Sequence, residues 1–578
     1  MNHSKPDKVD AAMKQRILAL ISLWLVVLLP IACASPAVQG TPVSTVTEAT
    51  QINISTTASP PPTAIPAAEI SQQAQPTLPA TGAPSSPAVM IPLQDALGSL
   101  QPQDVFQNFY EITQVPRPSG HMEQIREFLV NFGQEFGLET IVDDAGNVII
   151  RKPAAAGFEN RQEVVLQAHM DMIPLKDEDK EFDFTTDPIQ AFVSGDYIVT
   201  DGTTLGADNG IGMALAMAVL QSKTLQAGPI EALFTADEES DLSGANGLKP
   251  DTLHGRILIN LDAEPEGIFT IGSAGGGQVN ITASYPQVPA PSELVSYQVK
   301  VQGLRGGHSG MDINLGRGHA IKLLVRFLKE AAEPYGLRLA SLTGGTAANA
   351  IPTDASALVF LPRSNVESFL KHAQEFEATI QSELKAVEPD LSLQVEAVQP
   401  PSQVMDEAFQ NILINALYGT PQGVIRMSDT VPDLVETSTN LGIAEVQDGQ
   451  MEVINLSRSS VDSELTDVSQ MIANVWELAG YPVEYPGFNK AWTPNPDSPI
   501  LVLMQATYLD LFGQEAEITA VHAGTECGNI GGIYPDMDMI SLGPTMENVH
   551  TPSERLYIPS VAKVMSLVSE VLQRIPDK

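Results

Sequence analysis

Residues 163–171 read EVVLQAHMD, residues 210–222 read GIGMALAMAVLQS, and residues 230–237 read IEALFTAD. The first and third segments are short apolar runs that end in turn residues, as buried strands do, and the segment between them resembles a buried helix. A further apolar run, GRILINLD (255–262), follows them. This alternation of strands and helices predicts an α/β domain with a mixed, largely parallel sheet covered by helices.

The same alternation of strands and helices continues on both sides of residues 163–262 and is interrupted once. Helical spacing of apolar residues recurs at 104–115, 123–137, 498–513 and 558–575, and DMISLG (538–543) has the composition of a strand. Between them, over residues 276–487, half-exposed strands with alternating residues mix with amphipathic helices. We therefore expect one discontinuous domain over residues 92–275 and 488–578, with an α+β domain over residues 276–487 inserted into it.

The N-terminus has a different composition and is not expected to belong to the fold. In residues 1–34 a basic flank precedes a short apolar run that ends in small residues, which is typical of a secretory signal peptide. Cleavage after Ala34, lipidation of Cys33 as in a lipoprotein leader, and an uncleaved anchor all fit this segment. Residues 35–91 are rich in Thr, Pro, Ser and Ala and predict a disordered linker. These features predict an extracytoplasmic protein, secreted or held at the cell envelope.

Charge and cysteine content exclude several classes of protein. Acidic residues outnumber basic ones by 70 to 31, giving a formal charge of −39, which argues against nucleic acid or an anionic membrane surface as a partner. Only Cys33 and Cys527 are present, so no disulfide framework is expected. Cys527 is expected to pack as a small buried residue.

Five side chains suited to binding metal stand at the ends of apolar runs: His169, Asp208, Glu239, Asp262 and His550. Each taken alone has an ordinary explanation as a turn residue, a helix cap or a structural histidine. Taken together they fall at the rim of one sheet, where α/β proteins bind their ligands. Two imidazoles and three carboxylates suit two zinc-like ions that share one acid. The neighbouring Asp171 and Glu238 would then orient a ligand and act as a general base.

These motifs occur in a recognisable order. QAHMDMIP, GTTLGADNGIG, ADEES, NLDAEPEG, GGHSGMDINLGRG, AANAIP, HAGTECGNI and NVHTP resemble the Xaa-His dipeptidases, carnosinase-like enzymes of the di-zinc peptidase family that includes peptidase T and aminoacylase. The resemblance covers roughly residues 92 to 575. It implies that Asp208 bridges two metal ions, that His169 and Asp262 complete one site and Glu239 and His550 the other, that Glu238 is the general base, and that Asp171 orients His169. It also implies a cis peptide bond after Asp208, and Zn²⁺, Co²⁺ or Mn²⁺ as the metal.

The resemblance further makes the inserted domain a lid that contacts substrate and through which a homodimer could form. It assigns His308, Asn349 and Arg458 to substrate binding. An Arg suits the terminal carboxylate of a dipeptide. The function expected is an exported dipeptidase that acts on Xaa-His or broader dipeptides. Another amide hydrolase of the family, an aminoacylase or carboxypeptidase, and a tethered peptide-binding protein are the alternatives, although a binding protein would have no use for the base Glu238.

Overall fold

The computed structural model describes residues 90–578, so the predicted leader and all but the end of the predicted linker lie outside the described residues. The prediction of an α/β fold with a mixed sheet is confirmed. The central strand Val164–His169 is parallel to Ile230–Thr235 and to Ile257–Asn260, whereas Val148–Lys152 runs antiparallel to its neighbour. From edge to edge, the eight-stranded sheet consists of Glu139–Val142, Val148–Lys152, Ile230–Thr235, Val164–His169, Ile257–Asn260, Asp538–Ser541, Ile268–Ser273 and Glu517–Val521.

Successive residues of the central strand face opposite sides of the sheet. Val164 and Leu166 join the larger core, and Val165 joins a smaller core that contains the buried Cys527. Gln167 has the same parity as Val165 and bonds to a residue of the helix that carries Cys527. The strand therefore directs His169, two residues further on, toward that same face.

Helices cover both faces of the eight-stranded sheet. The buried helix Ala207–Gln221 packs behind the central strand, and nearly all of its residues are inaccessible to solvent, as its small apolar composition predicts. The other helices of this part of the molecule are Leu93–Ala96, Gln103–Thr113, Glu123–Glu135, Glu238–Asp241, Ser243–Gly247, Pro499–Phe512, Glu526–Ile533 and Ile558–Arg574, with a 3₁₀ turn at Leu97–Ser99.

A second sheet, of nine antiparallel strands, has its own core of buried apolar residues. Its strands are Gly275–Ser284, Leu294–Gln302, Arg338–Gly344, Ala355–Pro362, Ser392–Ala397, Gly423–Met427, Val435–Gln447, Gln450–Ser459 and Phe488–Asn489. Its helices are Ala320–Tyr335, Val366–Leu384, Glu407–Gly419 and Asp462–Leu478, with a 3₁₀ turn at Arg363–Asn365. The sequence patterns predicted most of these elements but not the helix Glu407–Gly419 or the long strand Val435–Gln447. The division at residues 276 and 487 stays a prediction.

Two small sheets complete the described structure. One consists of Ile91–Pro92, Phe192–Ser194, Tyr197–Val199, Met546–Glu547 and Arg555–Tyr557, and the other of Gln287–Pro289 and Gln403–Met405. Ile91 pairs with Val193, so the last residue of the predicted linker, 35–91, belongs to a strand. Within residues 90–578 no helix has the length and hydropathy required to cross a membrane.

Candidate metal centre

The five predicted ligands, which lie up to 381 positions apart in the chain, come together at one rim of the eight-stranded sheet. His169 Nε2 lies 3.0 Å from Asp208 Oδ1 and 3.6 Å from Asp262 Oδ1. His550 Nε2 lies 2.8 Å from Glu239 Oε1 and 3.2 Å from Asp208 Oδ2. Ligand atoms of each trio, His169–Asp208–Asp262 and Asp208–Glu239–His550, lie within 4.8 Å of one another.

Asp208 is common to both trios and offers a different oxygen to each. Its Oδ1 faces His169 and its Oδ2 faces His550. A carboxylate with one oxygen directed to each of two sites has the geometry of a bridging ligand. This geometry fits the bridging role that the resemblance implies.

The backbone around Asp208 departs from helical geometry inside the first turn of Ala207–Gln221. Asp208 has φ −80° and ψ 112°, and its peptide bond to Asn209 is cis, as the resemblance implies. The Asn209 amide donates hydrogen bonds to Leu261 O and to Asp262 Oδ1. The loop that carries Asp208 is therefore tied to the strand end that carries Asp262.

Asp171 holds two ligand segments together. Its Oδ1 lies 3.3 Å from His169 Nδ1 and accepts the N–H of Glu238 at 3.0 Å. Its Oδ2 accepts the N–H of Glu239 at 3.1 Å and the hydroxyl of Ser119 at 2.8 Å. A fully buried carboxylate in this position fixes the His169 ring and the start of the helix Glu238–Asp241 at the same time.

The electrostatics of the site fit bound cations. Burial, with the neighbouring charges of Glu526, Glu239 and Asp208, raises the pKa of Glu238 to about 8. Burial and the charge of Asp208 also raise the pKa of Asp262 well above its usual range. Although burial works in the opposite direction, contacts with Asp208 and Glu239 raise the pKa of His550 to about 11. So many buried carboxylates favour protons or metal ions at their centre, and the donor set of imidazoles and carboxylates suits zinc-like divalent ions.

The three residues predicted to bind substrate also lie close to one another, on the nine-stranded sheet and its loops. Arg458 Nη2 lies 3.5 Å from His308 Nε2. The N–H of Ser309, next to His308, donates to the carbonyl of Asn349 at 2.8 Å. His522 follows a strand of the eight-stranded sheet and is buried, with its Nε2 2.7 Å from Ser438 Oγ. It therefore joins this group from the other sheet. The structure thus brings His308, Asn349 and Arg458 together beside His522, to which the sequence assigned no firm role.

Three buried charged residues beneath the ligands have no firm role in the sequence analysis. Arg117 donates to the carbonyls of the two residues that follow His169, and Glu554 accepts backbone N–H groups around Asp208. Glu526 accepts from Gln167 at 2.5 Å and from Thr235 at 2.8 Å. All three are 2% exposed. Sequence patterns give little sign of them, because their partners are mostly backbone groups or residues hundreds of positions away.

Comparison with known proteins agrees with the site. Residues 165–574 match the family described as peptidase family M20/M25/M40, and the chain belongs to that family of hydrolases acting on peptide bonds. Over 482 residues it is 41% identical to the cytosol non-specific dipeptidase of Escherichia coli (strain K12), covering 83% of this chain and 99% of that protein. Its sequence is also 41% identical to that of aminoacylhistidine dipeptidase from Vibrio alginolyticus. The crystal structure of that protein matches with a TM-score of 0.79 over 83% of this chain and 98% of that chain. The resemblance drawn from the motifs is confirmed.

The prediction of an extracytoplasmic location is contradicted. The E. coli relative, similar over nearly its whole length, is named as a cytosol protein. The prediction was based on the composition of residues 1–91 alone, and composition does not show that a segment directs export. Cys33, for which lipidation was predicted, and the leader itself lie outside the described residues.

Proposed function

We propose that this chain is a dipeptidase that uses two divalent metal ions, with zinc the best match to its ligands, and that recognises the free carboxylate of its substrate. The observation that carries the proposal is Asp208, whose two oxygens face two separate ligand pairs. The relatives from E. coli and V. alginolyticus, both named as dipeptidases, support the substrate class. In this proposal His169 and Asp262 hold one ion and Glu239 and His550 the other.

Glu238 is the general base of the proposed reaction. Two ions bound by these ligands would polarise the scissile carbonyl and make a water molecule acidic near neutral pH. Glu238 accepts the proton of the attacking water and then donates it to the leaving amine. Burial raises the pKa of Glu238 to about 8 in the metal-free site, and a carboxyl group with a strongly shifted pKa beside a ligand cluster is a candidate acid–base group. Asp171 keeps the Glu238 backbone in place through its N–H.

Arg458 is the best candidate to bind the substrate carboxylate. Its Nε is buried and has no hydrogen-bond partner among the described residues, and burial lowers the pKa of the guanidinium to about 10. A buried cation with an unused donor is costly unless an anion binds to it. A dipeptide carboxylate would accept from Arg458, with His308 and Asn349 next to it.

The test compares dipeptides with the corresponding dipeptide amides. Arg458→Ala is expected to lower kcat/KM for dipeptides by a factor that corresponds to about 1.5–3 kcal/mol, the contribution of a charged hydrogen bond. The loss should be much smaller for amides, which lack the carboxylate. Arg426→Ala removes an exposed Arg of the strand Gly423–Met427, which is separated from the strand of Arg458 by Val435–Gln447. This control variant should leave both rates unchanged.

Two outcomes would contradict the proposal. Equal losses on dipeptides and on their amides would show that Arg458 does not bind the carboxylate. Faster hydrolysis of N-acylated amino acids or of longer peptides than of dipeptides would place the enzyme with the aminoacylases or the carboxypeptidases.

A further inference from the structure

Two buried side chains of opposite charge, Arg117 and Glu554, lie behind the ligand loops. Within residues 90–578 their side-chain hydrogen bonds all go to backbone groups of these loops. Both are 2% exposed. Glu554 belongs to the segment that follows His550, and Arg117 belongs to the loop between the helices Gln103–Thr113 and Glu123–Glu135. The two residues are 437 positions apart in the chain.

Glu554 accepts hydrogen bonds from four consecutive backbone N–H groups. Its Oε2 accepts from Leu205 at 2.8 Å and from Gly206 at 3.0 Å. Its Oε1 accepts from Ala207 at 2.7 Å and from Asp208 at 3.2 Å. The carboxylate thus fixes the whole turn that precedes the helix Ala207–Gln221, and its negative charge lies at the positive end of that helix.

Arg117 joins this turn to the loop that carries His169. Its Nη1 donates to the carbonyls of Met170 at 2.9 Å and Asp171 at 2.6 Å, and its Nη2 donates to the carbonyl of Gly206. Gly206 has φ +67°, and a Cβ at this position would lie 2.7 Å from Arg117 Nη2. Gly206 therefore has to be a glycine for two reasons, its left-handed backbone and the guanidinium next to it.

Gly206 forms hydrogen bonds with both charged side chains. Its carbonyl accepts from Arg117 and its N–H donates to Glu554. We infer that Arg117 and Glu554 form a clamp through the backbone that sets the position of Asp208 relative to His169, and that both are positioning residues for the metal centre. This inference rests on the proposed function, because the clamp matters for activity only if the ligands bind metal.

The test measures Zn²⁺ binding to the chelator-treated full chain by calorimetry, with Co²⁺ absorption as a report on the ligand geometry. Glu554→Gln keeps the shape of the side chain but offers a single oxygen, and Arg117→Lys cannot span the carbonyls of both loops. Each is expected to lower metal affinity ~10–100-fold, the usual effect of losing a residue that orients a ligand. Because both act through Gly206, the double variant should lose less than the product of the two single losses.

Glu388→Gln is the matched control. Glu388 is a buried carboxylate that also accepts two backbone N–H groups, of Arg305 and Gly318, and neither partner belongs to a segment that carries a predicted metal ligand. This variant should lower the melting temperature and leave metal affinity unchanged. Unchanged affinity in folded Glu554→Gln, or an equal loss in Glu388→Gln, would overturn the clamp. If Glu554→Gln does not fold, Arg117→Lys decides the question by the same measurement. Absence of Zn²⁺ binding to the unaltered protein would instead refute the proposed function.

Discussion

Glu238 and Glu239 are adjacent and chemically identical, yet the fold gives them different surroundings. Glu239 Oε1 lies 2.8 Å from His550 Nε2, and its side chain is 7% exposed. The backbone N–H groups of both glutamates donate to Asp171. The carboxylate of Glu238 is not a member of either trio that shares Asp208, although it lies within 4.8 Å of ligand atoms of His169 and Glu239. In the proposed function Glu239 is a ligand and Glu238 is the base, and the metal content of a Glu238 variant tests this division.

Replacing the base should separate catalysis from metal binding. Glu238→Gln is expected to lower kcat ~10²–10⁴-fold, because the variant cannot accept the proton of water. Elemental analysis should still find two metal ions for each chain. Asp241→Asn, at the exposed end of the same short helix, is the control with normal turnover. Wild-type kcat in Glu238→Gln would reject the assignment.

The proposed bridging role of Asp208 predicts unequal effects of two aspartate substitutions. Asp208→Ala removes one oxygen from each trio and should reduce the binding of both ions. Asp262→Ala removes a ligand from one trio and should mainly empty one site. Zn²⁺ stoichiometry by elemental analysis distinguishes the two. Two full sites in Asp208→Ala would show that the carboxylate does not bridge.

Among the elements, the loop that carries His308 depends on a carboxylate outside it. Glu388, just beyond the helix Val366–Leu384, is 2% exposed. Its Oε2 accepts the N–H of Arg305 and its Oε1 accepts the N–H of Gly318, both at 2.8 Å. The two ends of the loop are therefore held by one side chain, in the way that Glu554 holds the turn before Asp208.

Glu388→Gln should loosen this loop without affecting the metal centre. Glutamine has a single acceptor oxygen, so one end of the loop loses a charged hydrogen bond, which costs about 1.5–3 kcal/mol of unfolding free energy. We expect a higher KM for dipeptides, with two metal ions still bound. Glu383→Gln, which breaks an exposed ion pair with Arg326 on the preceding helix, should leave KM unchanged. An unchanged KM in Glu388→Gln would show that the position of His308 does not depend on this contact.

On the scale of the whole molecule, the two sheets meet at residues that belong to neither core. His522 follows the strand Glu517–Val521 of the eight-stranded sheet and contacts Ser438 of the nine-stranded sheet. Gly310 has no space for a side chain, since a Cβ there would lie 2.2 Å from the carbonyl of His522. The predicted substrate residues lie at this junction, so in the proposed function substrate would bind where the two sheets are in contact.

Buried acids under the centre make the stability of the metal-free protein depend on pH. Burial raises the pKa of Glu526 to about 7, from about 4.3 in an unfolded chain. The folded state then holds the proton more tightly, so this contribution to stability is complete below pH 4 and is lost as pH rises through 7. Burial lowers the pKa of His308 to about 4 and of His522 to about 3. These two histidines therefore make the folded state more stable as pH rises, but only up to about pH 6.5, the pKa of histidine in an unfolded chain.

The metal-free protein should therefore melt at a lower temperature at pH 8 than at pH 6.5. Glu526→Gln keeps an acceptor for Gln167 and cannot ionise, so its melting temperature should fall less over the same interval. Calorimetry after chelation measures both slopes. Equal slopes in the two proteins would show that Glu526 is not a source of the pH dependence.

The sequence by itself determined the α/β class, the order of most elements around the central strand, and the five residues that form the two trios. These features are local: strand and helix periods follow from neighbouring residues, and ligands at strand ends stand out by residue type. Only the tertiary structure decided that Arg117, Glu554 and Glu388 hold the loops. Their partners are backbone N–H and carbonyl groups, which every residue type provides, so no sequence pattern marks them. His522 received no firm role for a similar reason, because its neighbour Ser438 is 84 positions away on the other sheet and only the packing of the two sheets brings them together.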